Sequence, residues 1–518
     1  MTKIEKRDQF DVDSLRRQVA QVRAREAGET VEEDNGINPF ARQVADQLRE
    51  GNYTPTMIIG QFRLFEFLSL VVISLGVFHL YVGFDAELFV VQASVASVVS
   101  ALSIAILQIG DGYRLTALRA RMRFMPRIII SWGVPIAILA AAAALLGVGN
   151  VYSLPMLGVW FLAGAAFLVI ERVLFAISIR HWARNGIMER RAVIVGGGQA
   201  GKELIRALEA QADNDIRICG IFDDRGEKRS PVVVAGYPKL GSVAELVEFA
   251  RLTRIDMLII ALPMSAEARI LQLLRKLWIL PVDIRLAAHS NKLRFRPRAY
   301  SHVGAVPMLD IFNKPIRDWD SVAKRIFDVG FSLLALALLW PVMVGTAIAV
   351  KATSKGPVFF MQKRHGFNNE IIKVFKFRSM YAEMADPTAR NAVTKNDPRV
   401  TPLGRFLRKS SIDELPQLFN VLLGDLSLVG PRPHAVLAQT QSRTYSDVVE
   451  GYFARHRVKP GVTGWAQING WRGEIDNDDK IKFRTAYDLY YIENWSLLFD
   501  LKILLLTPFR LLNTENAY

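Results

Sequence analysis

The chain has 518 residues, 51% of them hydrophobic, a mean hydropathy of +0.19 and a formal net charge of +15. That length holds about three to four domains, and that charge excess suits anionic lipid, phosphorylated ligands or nucleic acid. The lone Cys219 excludes an internal disulfide framework and a multi-cysteine metal site.

Residues 1–60 are polar and charged, without the early apolar core of a secretory signal. They are read as a polar cytoplasmic tail with no assigned role. Four apolar segments follow, at about 64–84, 88–108, 128–148 and 156–178. Each approaches the ~20 residues that span a bilayer's hydrocarbon. Residues 61–180 are therefore expected to be an integral-membrane domain of four helices. Arg114, Arg119, Arg121, Arg123 and Arg127 follow the second segment, and Arg180, Arg184, Arg190 and Arg191 follow the fourth. The other two connections hold no Lys or Arg. Basic loops stay inside, so both termini are predicted to be cytoplasmic. The same placement explains much of the net charge, which removes the need for nucleic acid.

From Arg191 the pattern changes to strands alternating with helices. Ala192–Val195 reads as a buried strand running into the G-x-G-x-x-G loop at Gly196, Gly198 and Gly201, then a helix. A second strand ends at Asp223. This order predicts a Rossmann-like α/β domain over residues 190–310, with nucleotide binding by Gly196, Gly198, Gly201 and Asp223 as one reading and a retained fold without that ligand as the other. No Tyr-x-x-x-Lys occurs between residues 190 and 320, which disfavours a redox role.

A further apolar run, Ile326 to Val350, is broken by Pro341 and flanked at both ends by basic residues, Lys324 and Arg325 before, Lys351 and Lys355 after. Proline removes a helical hydrogen bond and bends the helix. The run is read as a kinked re-entrant helix that returns to the cytoplasmic face. Beyond it, Asp413 and Glu414 sit side by side, with Arg405, Arg408 and Lys409 before them and Arg432 in a GPRP turn after them. Adjacent carboxylates among cations suit chemistry on a phosphate. Leu415, Leu418, Phe419 and Leu422 continue as an apolar helical face, with Pro416 in its first turn. A helix N-terminus there favours an anion. Arg432 is placed to bind phosphate oxygens bidentately.

The segments GPVFFMQKRHG, KFRSM, SSIDELPQLFNVLLGDLSLVGPRP and RHRVKPGVTGWAQINGWRG resemble the successive signatures of bacterial sugar transferases, the monotopic polyprenol-phosphate phosphoglycosyltransferases. The resemblance covers about residues 319–518 and implies an α+β monotopic catalytic domain there. The four spans plus Rossmann-like module resemble the layout of the large members. The resemblance implies transfer of hexose-1-phosphate, glucose favoured over galactose, from a UDP-sugar to undecaprenyl phosphate. UMP would be released, and exopolysaccharide, capsule or O-antigen repeat-unit synthesis would begin. It implies Asp413 as nucleophile through a covalent phosphosugar intermediate, and Glu414 as ligand of Mg²⁺. Arg432, Arg378, Lys376, Arg364 and Arg408 are the expected phosphate-binding cations. Arg455, His456, Thr463 and Gln467 are the expected nucleotide-sugar pocket. Expected partners are the UDP-sugar, undecaprenyl phosphate, the bilayer of the bacterial inner membrane, downstream glycosyltransferases and, for the oligomer, a homodimer. Trp340 departs from the serine that often precedes the helix-breaking proline. A membrane scaffold with a degenerate catalytic part is the competing class.

Overall fold

The computed structural model describes residues 38–47, 55–113, 117–118, 125–184, 189–210, 216–226, 230–287, 301–303, 306–384, 397–434, 439–440, 443–471, 473 and 477–511. Arg114, Arg119, Arg121, Arg123 and the first 37 residues lie outside these. The chain forms two compact units, Asn52–Glu189 and Met1–Gly51 with Arg190–Tyr518.

The first unit contains α2 (Pro55–Val82), α3 (Ala86–Ile109), α4 (Met125–Leu145) and α5 (Leu154–Arg184). All four are long and apolar enough to cross a membrane. Leu70, Trp132, Met156 and Leu168 fill the bundle interior, while Leu64, Leu80, Val90 and Leu162 point outward. Two of the charges that interrupt these apolar runs, Glu66 and Arg172, pair inside. Arg172 reaches Glu66 at 3.1 Å, and the Tyr113 hydroxyl donates to Glu66 at 2.7 Å. Intramembrane charges are tolerated when they pair in a bundle interior.

In the second unit, residues 190–312 form an eight-stranded sheet in the order β3-β4-β2-β1-β5-β6-β8-β7. Its parallel centre comprises β4 (Tyr237–Gly241), β2 (Ile216–Phe222), β1 (Arg190–Val195), β5 (Met257–Ile260) and β6 (Asp283–Ala287). Three further strands flank this centre. These are β3 (Val233–Val234), β7 (Ser301–Val303) and β8 (Val306–Phe312), and they pair antiparallel with their neighbours. Continuous burial of Ala192 to Val195 and of Met257 to Ile260 is what helices on both faces of a parallel sheet require. Those helices are α6 (Gln199–Glu209), α7 (Val243–Leu252) and α8 (Glu267–Leu277). The tail contributes unexpectedly: α1 (Pro39–Gln47) packs on α7, with Phe40, Ala41, Val44 and Ala45 inside the sheet's core. Burial of Phe40 or Val44 contributes about 1.5–3 kcal/mol each. The tail's overall polarity hid these apolar positions.

Residues 318–511 begin with α9 (Asp318–Thr353), helical across Pro341. The hairpin β9 (Phe359–His365) and β10 (Ile371–Phe377) follows, then α10 (Pro402–Ser410), α11 (Gln417–Leu423) and β11 (Ser427–Val429). β11 pairs in parallel with β12 (Gly461–Thr463). Helices α12 (Asp478–Glu493) and α13 (Leu497–Leu511) close the fold. A buried polar knot fixes the base of α9. Lys324 contacts Asp500 (2.7 Å), Asp328 (3.3 Å) and the Val429 carbonyl (3.0 Å), while Leu428 N–H donates to Asp328 (3.1 Å). Asp500 therefore lies inside. α13 buries Ile503 and presents Leu498, Leu505 and Phe509 outward.

Candidate active site

The acid pair sits in a short turn between two helices. α10 ends at Ser411, whose left-handed φ of 58° turns the chain. Ile412–Glu414 forms one 3₁₀ turn, and α11 begins only at Gln417 with Pro416 at its cap. This corrects the helical boundary expected from sequence: Leu415 precedes α11, and the helix has seven residues. The turn is anchored by Asn420, fully buried, whose amide accepts from Phe375 N–H (2.9 Å) and donates to the Lys373 carbonyl (2.8 Å). That bond pair clamps α11 to β10. Asn420 was not singled out in the sequence, where it is one polar residue in an apolar helical run.

Glu414 is held on both oxygens. Lys376 Nζ lies 2.7 Å from Oε1, and Arg432 bonds in a fork, at 2.9 Å to Oε2 and again to Oε1. Burial alone would raise its pKa, but Arg432 and Lys376 outweigh burial and hold Glu414 well below the usual carboxylate range. Asp413, 6% exposed, accepts no hydrogen bond from any described residue. Burial pushes its pKa up to about 6, against the pull of Lys376, and the Glu414 charge adds to the rise. One carboxylate is thus neutralised in place, and the other is left unbonded beside it.

The expected cations divide into two groups. Lys376 and Arg432 meet the acid pair directly. Arg364, held by Gln362 (2.7 Å) and the Pro433 carbonyl, faces the same charges, and burial lowers its pKa to about 10. Arg408 donates to Ser379 Oγ (3.1 Å) and contributes to the field at Asp413. Arg378 is placed elsewhere. Its guanidinium donates to the carbonyls of Val350 (3.4 Å) in the last turn of α9, of Ser354 (2.8 Å) at its cap and of Lys355 (2.6 Å) just beyond.

The expected nucleotide-sugar residues are also split. Arg455, 1% exposed, donates to Asp488 (2.6 Å) and to the Arg432 carbonyl (2.7 Å), so it supports Arg432 from behind. His456 bonds Asn369 and stacks on His365 at 5.5 Å. Thr463 shares a hydrogen bond with Thr507 at 2.9 Å, and Gln467 lies in the short helix Trp465–Ile468. No hydrogen bond or ion pair among the described residues ties these last two to the acid pair. Sequence reasoning missed Arg484 and Asp488, both buried beneath the site. Their only signal was a cation and an acid four residues apart on one face of α12.

In the sheet domain, the glycine loop and Asp223 do come together, but they satisfy one another. Gly197 N–H donates to Asp223 at 2.7 Å. Arg225 grips the same carboxylate through Nε (3.0 Å) and Nη2 (2.7 Å), and its guanidinium lies over Gly198 at the start of α6. A side chain at Gly201 would collide with the Gly196 carbonyl.

The profile described as bacterial sugar transferase matches residues 319–514, and that described as CoA-binding domain matches residues 108–288. A UDP-glucose:undecaprenyl-phosphate glucose-1-phosphate transferase of Xanthomonas campestris pv. campestris is 37% identical over 397 residues, 75% of this chain and 80% of that protein. One of the same name from Klebsiella pneumoniae is 38% identical over 359 residues, 69% of this chain and 76% of that protein. The exopolysaccharide production protein PSS of Rhizobium leguminosarum bv. phaseoli is 46% identical over 185 residues, 36% of this chain but 92% of that protein. With a relative this similar along most of both lengths, and with the acid pair and its cations inside the matched region, the chain belongs to the bacterial sugar transferase family.

Proposed function

We propose that this chain transfers glucose-1-phosphate from UDP-glucose to undecaprenyl phosphate, releasing UMP. The observation that carries the reading is Asp413: a buried carboxylate without a hydrogen-bond partner among the described residues, inside a ring of Lys376, Arg364, Arg408 and Arg432. In the first step, a carboxylate oxygen of Asp413 attacks the sugar-linked phosphorus of UDP-glucose. The bond to the bridging oxygen breaks, and UMP leaves with that electron pair. In the second step, a phosphate oxygen of undecaprenyl phosphate attacks the same phosphorus, and the Asp413 carboxylate departs. Splitting one displacement into two is what covalent catalysis supplies. Arg364 and Arg432 face the charge that develops on the transferring phosphoryl group, and preorganised cations there stabilise a transition state.

Mg²⁺ belongs to the same proposal. The acid pair offers the one or two carboxylates that Mg²⁺ takes alongside substrate phosphate oxygens, and Glu414 would hold it after yielding one cationic partner. When bound, the ion supplies neutralisation of pyrophosphate charge. The names of the relatives support glucose as the sugar. The test is incubation of purified protein with labelled UDP-glucose or UDP-galactose and undecaprenyl phosphate, followed by extraction of the lipid. A labelled sugar-diphospholipid made from UDP-glucose is expected, and its absence with every UDP-sugar would favour the scaffold class.

The topology proposed is four crossings plus a re-entrant α9, with the catalytic part on the cytoplasmic face of the inner membrane. The packing of α1 into the sheet core supports an even number of crossings in residues 52–189. Both ends of α9 also join one fold. Arg325 bonds the Leu422 carbonyl (2.6 Å), while Arg378 holds Val350 and Ser354. A straight helix would place residues 325 and 350 about 38 Å apart. Yet Asn420, next to Val421, bonds Phe375, only three residues from Arg378. A bend at Pro341 reconciles these contacts.

A further inference from the structure

The hairpin of β9 and β10 brings two of the catalytic cations, Arg364 and Lys376, to the acid pair. Its tip, residues 366–370, lies beyond the last strand pair, His365 with Ile371. Asn368 and Asn369 are consecutive left-handed residues there, with φ of 51° and 62°. Asn368 Nδ2 donates to the Ala250 carbonyl at 3.1 Å. Ala250 lies in the last turn of α7, where carbonyls have no intrahelical donor. The tip of the catalytic hairpin therefore caps a helix of the sheet domain. Asn369 bonds His456, which is buried and held neutral by burial and by the Arg455 charge.

A second contact lies at the Tyr452–Arg457 turn. It opens at Gly451, with φ of +73°, and any side chain there would strike the Trp278 indole at the end of α8. A third is Arg457, which donates to the Asn313 carbonyl at 2.9 Å. The Tyr452–Arg457 turn carries Arg455, which holds the backbone of Arg432. The sheet domain thus touches the two segments from which Arg364, Lys376 and Arg432 are aimed.

We infer that the sheet domain holds the catalytic cations in place, with Asn368 and Trp278 as positioning residues that act through the β9–β10 hairpin and the Tyr452–Arg457 turn. The inference rests on the proposed role of Asp413, because that is the group whose surroundings the hairpin sets. It gives the sheet domain work that does not depend on a nucleotide in its glycine loop. The consequence is a displacement of the cations around the acid pair when docking is lost. Lys376 on β10 and Arg364 on β9 ride on the hairpin, and Arg432 is held through Arg455. If the hairpin loosens, Lys376 leaves Glu414 and the acid pair loses its fixed surroundings.

The test uses the full-length protein with Trp278→Ala, Trp278→Phe and Asn368→Gly, the last keeping a residue at ease with positive φ. Turnover per folded molecule is expected to fall about 3- to 30-fold in Trp278→Ala and Asn368→Gly, the range such coupling spans. The fall is expected in kcat more than in KM, with partial rescue in Trp278→Phe. Amide hydrogen exchange across Phe359–Phe377 should quicken in parallel. Unchanged kcat with unchanged exchange overturns the inference, as does a loss that tracks only the folded fraction. A wild-type protein that releases no UMP counts against the functional reading, and hydrogen exchange then still decides the docking.

Discussion

Asp223 in the sheet domain and the Asp413–Glu414 pair in the catalytic domain begin from similar sequence signals, an acid near glycines and arginines. These three acids end in two opposite electrostatic states. Asp223 receives Gly197 N–H and a two-pronged grip from Arg225, and these outweigh burial to hold it ionised. Glu414 is similar, gripped by Lys376 and Arg432. Of these three, only Asp413 is buried without such bonds to described residues, and burial raises its pKa. A satisfied carboxylate is a structural element, whereas one kept unbonded among cations is available to react. Strongly perturbed groups of this kind concentrate at functional sites.

The largest effect expected to test that contrast is at Asp413 itself. Asp413→Asn should lower transfer by at least about 10³-fold, as loss of a nucleophile does elsewhere. Its melting temperature near neutral pH should be unchanged or higher. A folded-state pKa raised above the ordinary carboxylate value means a stability contribution complete at low pH and lost as pH rises through about 6. An amide cannot incur that loss. A melting temperature several degrees lower would contradict the account of the site. Next in size, Glu414→Gln and Arg432→Ala should each lower kcat by about 10²- to 10³-fold, with Glu414→Gln also weakening the Mg²⁺ dependence. An unaltered Mg²⁺ titration in that variant would remove Glu414 as the ligand.

A third prediction follows from the sign of the Asp413 shift. The nucleophile must be ionised, so kcat/KM should rise with pH through about 6 and fall below it. A profile flat to pH 4.5 would show that Asp413 is not the titrating group. The smallest expected effect lies in the other region. Arg225→Ala leaves Asp223 half-satisfied and should cost the sheet domain about 1–3 kcal/mol, while turnover per folded molecule changes less than twofold. A loss comparable to that of Glu414→Gln would mean that the glycine loop takes part in catalysis.

The sequence made the acid pair and the cations gathered around it visible because charges in glycine- and proline-rich turns have few structural explanations. The sheet was visible for a different reason: its central strands are short apolar runs between helical patterns. What stayed hidden depends on contacts remote in sequence. Arg378 looked like another phosphate ligand, but it caps α9 because Val350 and Ser354 are folded back onto it. Arg225 follows Asp223 by two residues, yet nothing local says that it folds over Gly198. The tail's buried face was concealed because Phe40, Ala41, Val44 and Ala45 have no core of their own and borrow one more than 140 residues away in sequence. Asn420 and Asp488 read as ordinary polar positions until the elements they join are seen together.

The measurement that bears most directly on the central claim is the intact mass of purified protein after brief exposure to UDP-glucose and Mg²⁺ without undecaprenyl phosphate. The account predicts a burst of UMP equal to the active enzyme and a phosphoglucosyl adduct on the peptide containing Asp413. That adduct should be lost on addition of undecaprenyl phosphate and absent from Asp413→Asn. Turnover with lipid present, but no UMP burst and no adduct without it, would contradict the account and point to direct transfer between the two substrates.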